Sequence, residues 1–370
     1  MMNIQMTDLN AQYESIKDEI IPVIKEVLKE SGFILGRQVS LFEEEAARYF
    51  DVKFAVGVAS GTDALVLSLA GLGIKEGDEV ITTPFTFIAT AEAISRVRAR
   101  PVFCDIDEKT YNIDAKEISS KINGRTKAII PVHLYGMPCR MDEILKIAKA
   151  YNLKIIEDCA QSFGSEYAGK KVGSLGDCGC LSFFPAKTLG CYGDGGMVVT
   201  DDEFLAANLR MLRNHGSSNK YIYSRHGFNS RLDTLQAAVL RVKLKYIDRW
   251  IKQRIHNAEY YNKQLADLAE ITTPEIPKNS KHSFNYYTIR IESGRENIQA
   301  GLKVKNIPSA VYYPLCLHLQ EVYKDLKYMP GDFPVAEKNQ DRVLSLPMYP
   351  ELAEKQMDAV VKAIKEFLSG

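Results

Sequence analysis

Lys187 stands in a sequence setting that few lysines share. It follows the apolar run CLSFF, lies two residues after Pro185, and leads into a turn with glycine at positions 190, 193, 195 and 196. An amine that forms a Schiff base must be held at one point and partly removed from water, so that it spends time neutral and nucleophilic. A strand followed by a tight turn meets both needs. A solvated loop lysine explains these residues equally well, so a second group must decide.

A carboxylate follows another apolar run. The segment IIEDCAQ, from Ile155 to Gln161, predicts a buried parallel strand with Asp158 at its carboxyl end, the edge at which open α/β sheets bind ligands. Pyridoxal phosphate (PLP) requires such an acid to keep its pyridine nitrogen protonated, and a lysine to hold its aldehyde. Either residue alone is weak evidence, and the pair together indicates PLP chemistry.

A phosphate cradle is predicted where the first strand of this pattern meets a helix. The apolar run Phe54–Val58 passes through small residues into a helix that begins near Thr62. Free N–H groups and the macrodipole at a helix start favour a phosphate, and the hydroxyls of Thr62 and Ser182 can add hydrogen bonds. The simpler alternative is that Ser60, Thr62 or Asp63 only caps the helix.

Six motifs follow one another along the chain in a specific order. They are SGTDAL, PFTFIATAE, IIEDCAQS, SFFPAKTLGCYGDGG, FNSRLDTLQAA and VYYPLCLHLQ. Together they resemble the DegT/DnrJ/StrS family of PLP-dependent sugar-nucleotide aminotransferases, and the resemblance extends from Gly32 to Pro350. Within that family the chain is most similar to the branch that aminates the C3 keto group of a UDP-linked 2-acetamido-3-keto-hexuronic acid, a precursor of bacterial surface polysaccharides.

The resemblance implies roles around the cofactor ring. Lys187 forms the Schiff base with PLP, Asp158 pairs with the pyridine nitrogen, and Gln161 lies near the 3-hydroxyl of the cofactor. Phe87 stacks on one face of the ring. Without the family, Phe87 is more simply a core residue, because an aromatic between apolar residues is usually buried.

The resemblance also implies that two subunits share each active site. Gly61, Thr62 and Ser182 hold the phosphate from one chain, while Asn229 reaches the phosphate of the neighbouring subunit's cofactor and Arg231 reaches its substrate. The expected assembly is a homodimer. Without the motif match, Asn229 and Arg231 would be interpreted as solvated loop residues.

Further residues are expected to contact the substrate. The resemblance places Tyr312, Tyr313 and His318 near the sugar nucleotide, although the family often has histidine where this chain has Tyr312. The alternative for the tyrosines is a pair of strand aromatics. None of the six histidines shows HExxH or a comparable ligand spacing, so no metal site is expected. His133, at a predicted strand end, is more simply a hydrogen-bonded structural histidine than a pocket residue.

Composition narrows the possible partners. The 370 residues carry 47 basic and 47 acidic side chains, so no positive field exists to attract nucleic acid. No apolar run approaches the length of a membrane span, and the first residues lack a signal sequence. Seven scattered cysteines offer no disulfide framework. We therefore expect a cytoplasmic protein.

The order of predicted elements indicates an α/β fold. Short apolar strands alternate with helical patterns from about Phe54 to Thr200, which predicts a mixed, mostly parallel sheet flanked by helices. Strands such as NYYTIRI and SAVYYP and two more helices then predict a smaller α+β part. The resemblance implies PLP fold type I, with a large PLP-binding domain at residues 1–250, including a helical N-terminal segment, and a small domain at residues 251–370.

These observations predict an aminotransferase. The resemblance implies that L-glutamate donates the amino group and that pyridoxamine phosphate carries it. It also implies that a keto group of a nucleotide-linked sugar, at C3, accepts it for surface polysaccharide or lipopolysaccharide synthesis. C3 is favoured over C4 because Pro185 stands where many C4 enzymes of the family carry histidine. Alternatives left open are a C4 or cyclitol aminotransferase and a PLP-binding regulator without turnover. Related sugar dehydratases have histidine in place of Lys187, so the lysine here argues against a dehydratase.

Overall fold

Helices and strands alternate along most of the chain. The computed structural model describes residues 4–219 and 221–368. The helices are α1 (Leu9–Glu30), α2 (Arg37–Phe50), α3 (Gly61–Gly71), α4 (Ala89–Arg96), α5 (Ala115–Lys121), α6 (Met141–Tyr151), α7 (Glu203–Leu212), α8 (Thr234–Leu244), α9 (Ile247–Leu265), α10 (Arg295–Val304), α11 (Pro334–Gln340) and α12 (Glu354–Leu368). Within these described ranges, no helix combines the length and the apolarity needed to cross a bilayer.

The strands form one large sheet and several small ones. The strands are β1 (Phe54–Val58), β2 (Glu79–Thr82), β3 (Arg100–Phe103), β4 (Thr126–Ile129), β5 (Lys154–Asp158), β6 (Glu166–Tyr167), β7 (Lys170–Lys171), β8 (Cys178–Ser182), β9 (Gly196–Thr200), β10 (Ser217–Asn219), β11 (Ile222–Tyr223), β12 (Ile271–Thr272), β13 (Ser280–Lys281), β14 (Tyr287–Ile291) and β15 (Val343–Leu346). The large sheet has the order β1-β9-β8-β5-β4-β2-β3. Its strands β3, β2, β4, β5 and β8 pair in parallel, and β9 runs antiparallel to both β8 and β1. The predicted mixed, mostly parallel α/β sheet is confirmed.

Both faces of the large sheet are covered. Successive residues of a strand point to opposite faces. In β9, Val198 belongs to a cluster with residues of α3 and α7, whereas Met197 and Val199 belong to a cluster with residues of α2 and α8. Burial on both faces explains why these strands are continuous apolar runs instead of alternating ones.

A second core surrounds the small sheet β12-β14-β15. Helix α9 belongs to both cores, because Trp250 and Ile251 pack with the large sheet while Ala258 and Tyr261 pack with the small one. The expected division after residue 250 falls within this helix, and a two-domain organisation stays a prediction. The start of the chain joins the second core as well: Ile4 is buried there, and the backbone nearby accepts a hydrogen bond from the segment before α12.

The predicted strand SAVYYP does not form. Only Ala310 makes an isolated bridge, to Ser345 of β15, and the residues that follow leave the sheet. Pro308 precedes the segment and Pro314 is its last residue, and neither can donate to a strand ladder. As a result Tyr312 and Tyr313 lie in an irregular segment that reaches the cavity described next.

Candidate active site

A cavity opens where the central parallel strands end. Its volume is about 390 Å³, within the range of small-molecule sites. The start of α3, the loop after β2, the end of β5 and the turn after β8 contribute to its wall. The cavity brings together nine of the predicted site residues: Gly61, Thr62, Phe87, Asp158, Gln161, Ser182, Lys187, Tyr312 and Tyr313.

The turn after β8 holds Lys187 in place. The Lys187 N–H donates to the Phe184 carbonyl at 2.9 Å, and the Cys191 N–H donates to the Phe183 carbonyl at 2.8 Å. These bonds close a short loop with the lysine inside it. The side chain of Lys187 lines the cavity.

The amine of Lys187 is easier to deprotonate than an ordinary lysine amine. Burial lowers its pKa to about 8, while the charge of Asp158 acts in the opposite direction. Desolvation disfavours the charged form of an amine. A useful fraction of Lys187 is therefore neutral and nucleophilic near neutral pH.

Asp158 ends β5 as a buried carboxylate. Its Oδ2 accepts a hydrogen bond from the Thr90 hydroxyl at 2.8 Å, and its Oδ1 accepts one from the Ala160 N–H at 3.1 Å. Burial raises the pKa of Asp158, whereas those two hydrogen bonds and the charge of Lys187 lower it. Within the part of the chain that the structure describes, no cationic side chain lies within ion-pair distance of it. The carboxylate is thus available to a cationic ligand atom in the cavity.

The start of α3 faces Ser182 at close range. Ser60 caps the helix, with its hydroxyl accepting from the Asp63 N–H at 3.1 Å. A Cβ on Gly61 would lie 2.6 Å from the Cβ of Ser182, so only glycine permits this approach. The capping and phosphate-binding interpretations are compatible, because the cap uses Ser60 and leaves Gly61 and Thr62 at the cavity.

Gln161 joins the cofactor side of the cavity to its aromatic wall. Its Oε1 accepts from the Tyr135 N–H at 2.7 Å, and its Nε2 donates to the Tyr313 hydroxyl at 2.9 Å. The ring of Tyr313 lies 6.1 Å from that of Phe87. Phe87 is 55% exposed, so it faces the cavity and is not a core residue.

Tyr312 is paired with an aromatic residue that the sequence did not single out. Its ring lies 4.3 Å from that of Tyr286, and both residues line the cavity. The carbonyl of Tyr312 accepts a short hydrogen bond from the Tyr135 hydroxyl. This wall presents flat apolar faces with hydroxyl groups at their edges, a surface suited to a sugar or a base.

Asn229 and Arg231 do not line the cavity of their own chain. Asn229 is exposed, and Arg231 donates to the Asn214 side chain at 3.2 Å. The residue between them, Ser230, donates to Asp63 at 2.7 Å and so ties the segment to the first turn of α3. The segment therefore lies beside the helix that carries the predicted phosphate site but presents its side chains elsewhere.

His318 is buried away from the cavity lining. Its Nε2 lies 3.1 Å from the Glu337 carboxylate, and its ring packs edge-on against Phe333 at 4.7 Å. Burial lowers the pKa of His318, against the opposing effect of Glu337. The structure does not bring this residue to the predicted substrate site, because the aromatic cluster around α11 encloses it.

His133 belongs to a hydrogen-bonded network beneath the cavity. Its Nδ1 accepts from the Cys139 N–H at 3.0 Å, so its Nε2 carries the proton and donates to Glu157 at 3.0 Å. Three backbone N–H groups, of residues 173, 175 and 176, also donate to that carboxylate. Cys159 completes a group close enough to hold a metal, but burial keeps its thiol protonated by raising the pKa. The ring and carboxylate are already used by hydrogen bonds, which favours a structural role.

Sequence reasoning missed several parts of this site. Thr90, which orients Asp158, belongs to the quoted motif PFTFIATAE, yet nothing in that motif indicated which strand end its hydroxyl would meet. Tyr286 was placed in a predicted strand without a role. Asp194 and Gly195 line the cavity from the glycine-rich turn. The repeated glycines there signalled a special backbone, but not which residues would face the cavity.

The residues of the cavity fit PLP. The start of α3 and Ser182 offer donors for a phosphate, Asp158 offers an unpaired buried carboxylate for a protonated ring nitrogen, and Lys187 offers an amine of lowered pKa for the aldehyde. Phe87 offers an aromatic face for a flat ring. The fold and this set of side chains define a PLP-dependent enzyme of the α/β type.

Comparisons with known proteins identify the family. Residues 14–365 match the DegT/DnrJ/EryC1/StrS aminotransferase family. The chain is 48% identical to a "pleiotropic regulatory protein" of Geobacillus stearothermophilus, over 99% of both chains. It is 45% identical to a UDP-N-acetyl-3-dehydro-α-D-glucosamine 3-aminotransferase of Acidithiobacillus ferrooxidans, over 99% of this chain and 98% of the relative. It is 42% identical to a UDP-2-acetamido-2-deoxy-3-oxo-D-glucuronate aminotransferase of Pseudomonas aeruginosa, over 98% of this chain and 99% of the relative.

A solved structure is similar over the whole length. The DesV protein of Streptomyces venezuelae, solved with a ketimine intermediate, superposes with a TM-score of 0.97 at 40% identity and full coverage of both chains. The chain belongs to the DegT/DnrJ/EryC1/StrS aminotransferase family. It is accordingly an aminotransferase of PLP fold type I, and its cofactor is PLP.

Proposed function

We propose that this protein moves an amino group from L-glutamate to the C3 keto group of a UDP-linked 2-acetamido sugar, for synthesis of a bacterial surface polysaccharide. The observation that carries the aminotransferase site is Lys187, with its pKa lowered to about 8, in one cavity with the buried Asp158. The names of two relatives that share more than two fifths of their residues with this chain support the UDP-linked 3-keto substrate.

Each side chain of the cavity has a defined task in this proposal. When bound, PLP supplies an aldehyde that captures amines and a ring that withdraws electrons. The first turn of α3 and the Ser182 hydroxyl bind the phosphate, and Asp158 stabilises positive charge at the ring nitrogen. Phe87 covers one face of the ring, and Gln161 binds near its 3-hydroxyl.

Lys187 moves the protons. Its Nζ removes the proton from Cα of L-glutamate in the first half-reaction. That proton would pass to the bound cofactor. In the second half-reaction Nζ would take a proton back from the cofactor and deliver it to the sugar carbon that receives the amine. Tyr312 and Tyr313 bind the sugar nucleotide along the aromatic wall.

A second copy of the chain completes the site, with its Asn229 at the cofactor phosphate and its Arg231 at the substrate. Asn229 and Arg231 flank a serine anchored to α3, yet they do not face the cavity of their own chain. Exposed apolar side chains lie near the same segment, among them Phe33, Ile34 and Phe228. A homodimer would bury this apolar surface and bring Asn229 and Arg231 to the partner's cavity.

A cytoplasmic location is part of the proposal. The seven cysteines are all buried and free, as expected of a protein that folds in a reducing compartment.

The decisive experiment offers matched nucleotide-linked sugars to the PLP-loaded protein. UDP-linked 3-keto and 4-keto sugars, with and without the C6 carboxylate, are incubated with L-glutamate, and NMR locates the new amine. Amination at C3 supports the proposal, whereas a clear preference for C4 overturns the regiochemistry. Lys187→Ala is the control for catalysis by the predicted site.

A non-catalytic regulator is the second candidate. The name of the relative at 48% identity favours it. The complete set of Lys187, Asp158 and Ser182 in one cavity favours turnover instead. Absence of transfer with every keto sugar, despite PLP bound at Lys187, would favour the regulator.

A further inference from the structure

The backbone that follows Lys187 is held in place by hydrogen bonds. Cys191 donates to the Phe183 carbonyl through its N–H at 2.8 Å and through its thiol at 3.0 Å. Just before it, Gly190 passes so close to Pro185 that a Cβ at position 190 would meet the Pro185 carbonyl oxygen at 2.3 Å. The backbone from 185 to 190 is thus a tight turn with Lys187 at its centre.

A buried lysine on α8 holds the carbonyl at that exit. The Lys243 Nζ donates to the Gly190 carbonyl at 2.7 Å, and the Lys243 residue is fully buried. The ammonium also lies 4.2 Å from the centre of the Tyr192 ring. Among residues 4–219 and 221–368, no carboxylate lies within ion-pair distance of this Nζ.

A buried ammonium without an ion pair is costly unless other groups replace its hydration. Here an electron-rich carbonyl and an aromatic face do so, from Gly190 at the end of the turn and from Tyr192 two residues after it. Burial lowers the pKa of Lys243 to about 8, while Cys191 and Glu351 raise it, so the donor is mostly charged at neutral pH. Removing Lys243 would leave the Gly190 carbonyl buried without this partner.

A second buried side chain, from the region of the second core, also holds the backbone after Lys187. The side-chain oxygen of Asn285 accepts from the Thr188 N–H at 3.1 Å and from the Thr188 hydroxyl at 3.3 Å. Asn285 is 2% exposed. Thr188 directly follows Lys187, so two buried side chains from distant parts of the chain fix the backbone on the exit side of the reactive residue.

We propose that Lys243 is a positioning residue for the reaction: its ammonium fixes the Gly190 carbonyl, and thereby the turn that aims Lys187 into the cavity. The inference rests on the proposed role of Lys187. A loosened turn would let Lys187 sample other directions and contact more water, which slows the proton transfers without removing any substrate contact.

The test compares three lysine variants in the PLP-loaded protein. Lys243→Met removes the donor and charge at similar length, Lys243→Arg keeps both, and Lys245→Met is the matched control, because Lys245 lies two residues further on with its side chain exposed in an ion pair with Glu19. The readouts are kcat, KM for both substrates, the melting temperature, and the pH midpoint of the visible lysine–cofactor absorption band. Borohydride reduction of the wild type and mass spectrometry locate the cofactor adduct.

For Lys243→Met we expect kcat to fall about 10- to 100-fold while both KM values stay within about threefold. The pH midpoint of the absorption band should rise by roughly one unit, because the nitrogen of Lys187 becomes better solvated, which favours its charged form. Lys243→Arg should recover part of both effects, and Lys245→Met should match the wild type. A wild-type midpoint in Lys243→Met, with or without a lower melting temperature, overturns the inference.

A second variant tests the inference if Lys243→Met does not fold. Tyr192→Leu removes the ring beside Lys243, together with its edge contact to Tyr13, at a residue that is 38% exposed. We expect a rise of the midpoint in the same direction and a two- to fivefold lower kcat, roughly the share of a cation–π contact. An unchanged midpoint contradicts the inference. An adduct on any residue other than Lys187 in the wild type contradicts the proposed function itself.

Discussion

The turn that carries Lys187 and the segment from Asn229 to Arg231 both contain predicted site residues, yet they are packed differently. Buried side chains from α8 and the second core hold the turn. The other segment has one buried anchor, Ser230, and follows the hairpin β10–β11, in which Ile222 and Tyr223 are each 60% exposed. The residues predicted to hold the cofactor ring thus meet within one chain. The proposal that a second copy of the chain supplies Asn229 and Arg231 fits the looser packing of their segment.

The largest effect is expected for Lys187→Ala, which tests the cofactor end of the site. We expect transamination to fall at least about 10³-fold, because the same amine binds the cofactor and moves the protons. The visible absorption band of the lysine adduct should also be lost. The exposed Lys170→Ala variant is the control and should retain both. Activity within tenfold of wild type in Lys187→Ala would show that another group performs the chemistry.

Asp158→Asn should have the next largest effect. The amide keeps the shape and can still accept from Thr90, but it cannot stabilise a protonated ring nitrogen, so we expect kcat to fall about 10²- to 10³-fold. Thr90→Val, which removes only the orienting hydroxyl, should cost much less. Steady-state kinetics with saturating PLP checks both variants. Equal losses would mean that orientation, and not charge, is what Asp158 supplies.

The pKa of Lys187 predicts how PLP loading depends on pH. Burial lowers that pKa to about 8, and the neutral amine is the form that attacks an aldehyde. The capture rate of PLP by the cofactor-free protein should therefore rise about tenfold per unit below pH 8 and level off above it. Stopped-flow absorbance measures the rate. A rate that still climbs steadily above pH 9 would indicate an ordinary solvated lysine.

The other side of the comparison is tested by mixing subunits. If Arg231 serves the partner's site, Lys187→Ala and Arg231→Ala chains should regenerate one intact site in each mixed dimer, or roughly a quarter of wild-type activity after random exchange. Native mass spectrometry verifies the exchange. No recovery in verified mixed dimers would mean that each chain builds its own substrate site, and the contrast between the two regions would disappear.

The smallest expected effect is that of His318→Gln. Because His318 is buried against Glu337 and Phe333, the variant should lower the melting temperature by about 2–4 °C and leave KM for the sugar nucleotide within about threefold. Tyr313→Phe, at the cavity wall, is the informative partner and should raise that KM more. A tenfold higher KM in His318→Gln would place the histidine at the substrate after all.

Local patterns in the sequence predicted the cofactor end of the site well. Strands β1 and β9 begin and end where their apolar runs do, and Asp158 and Lys187 meet because parallel strands end at one edge of the sheet. The prediction of a strand at SAVYYP is wrong: its composition favours strands, but the prolines before it and at its end cannot donate to a ladder. Contacts between distant residues, such as that of Lys243 with Gly190, leave no local pattern from which they could be predicted.

Helix α9 and the first described residues have a consequence for folding during synthesis. Ile4 is buried with Ala258 and Tyr261 of α9 and with Met357 and other residues of the last helix. That core cannot close until α12 has left the ribosome, so Ile4 lacks these partners until then. The large sheet, whose strands all precede residue 201, can form earlier. We expect stalled chains that lack α12 to protect the large sheet from protease while the first residues stay open to cleavage.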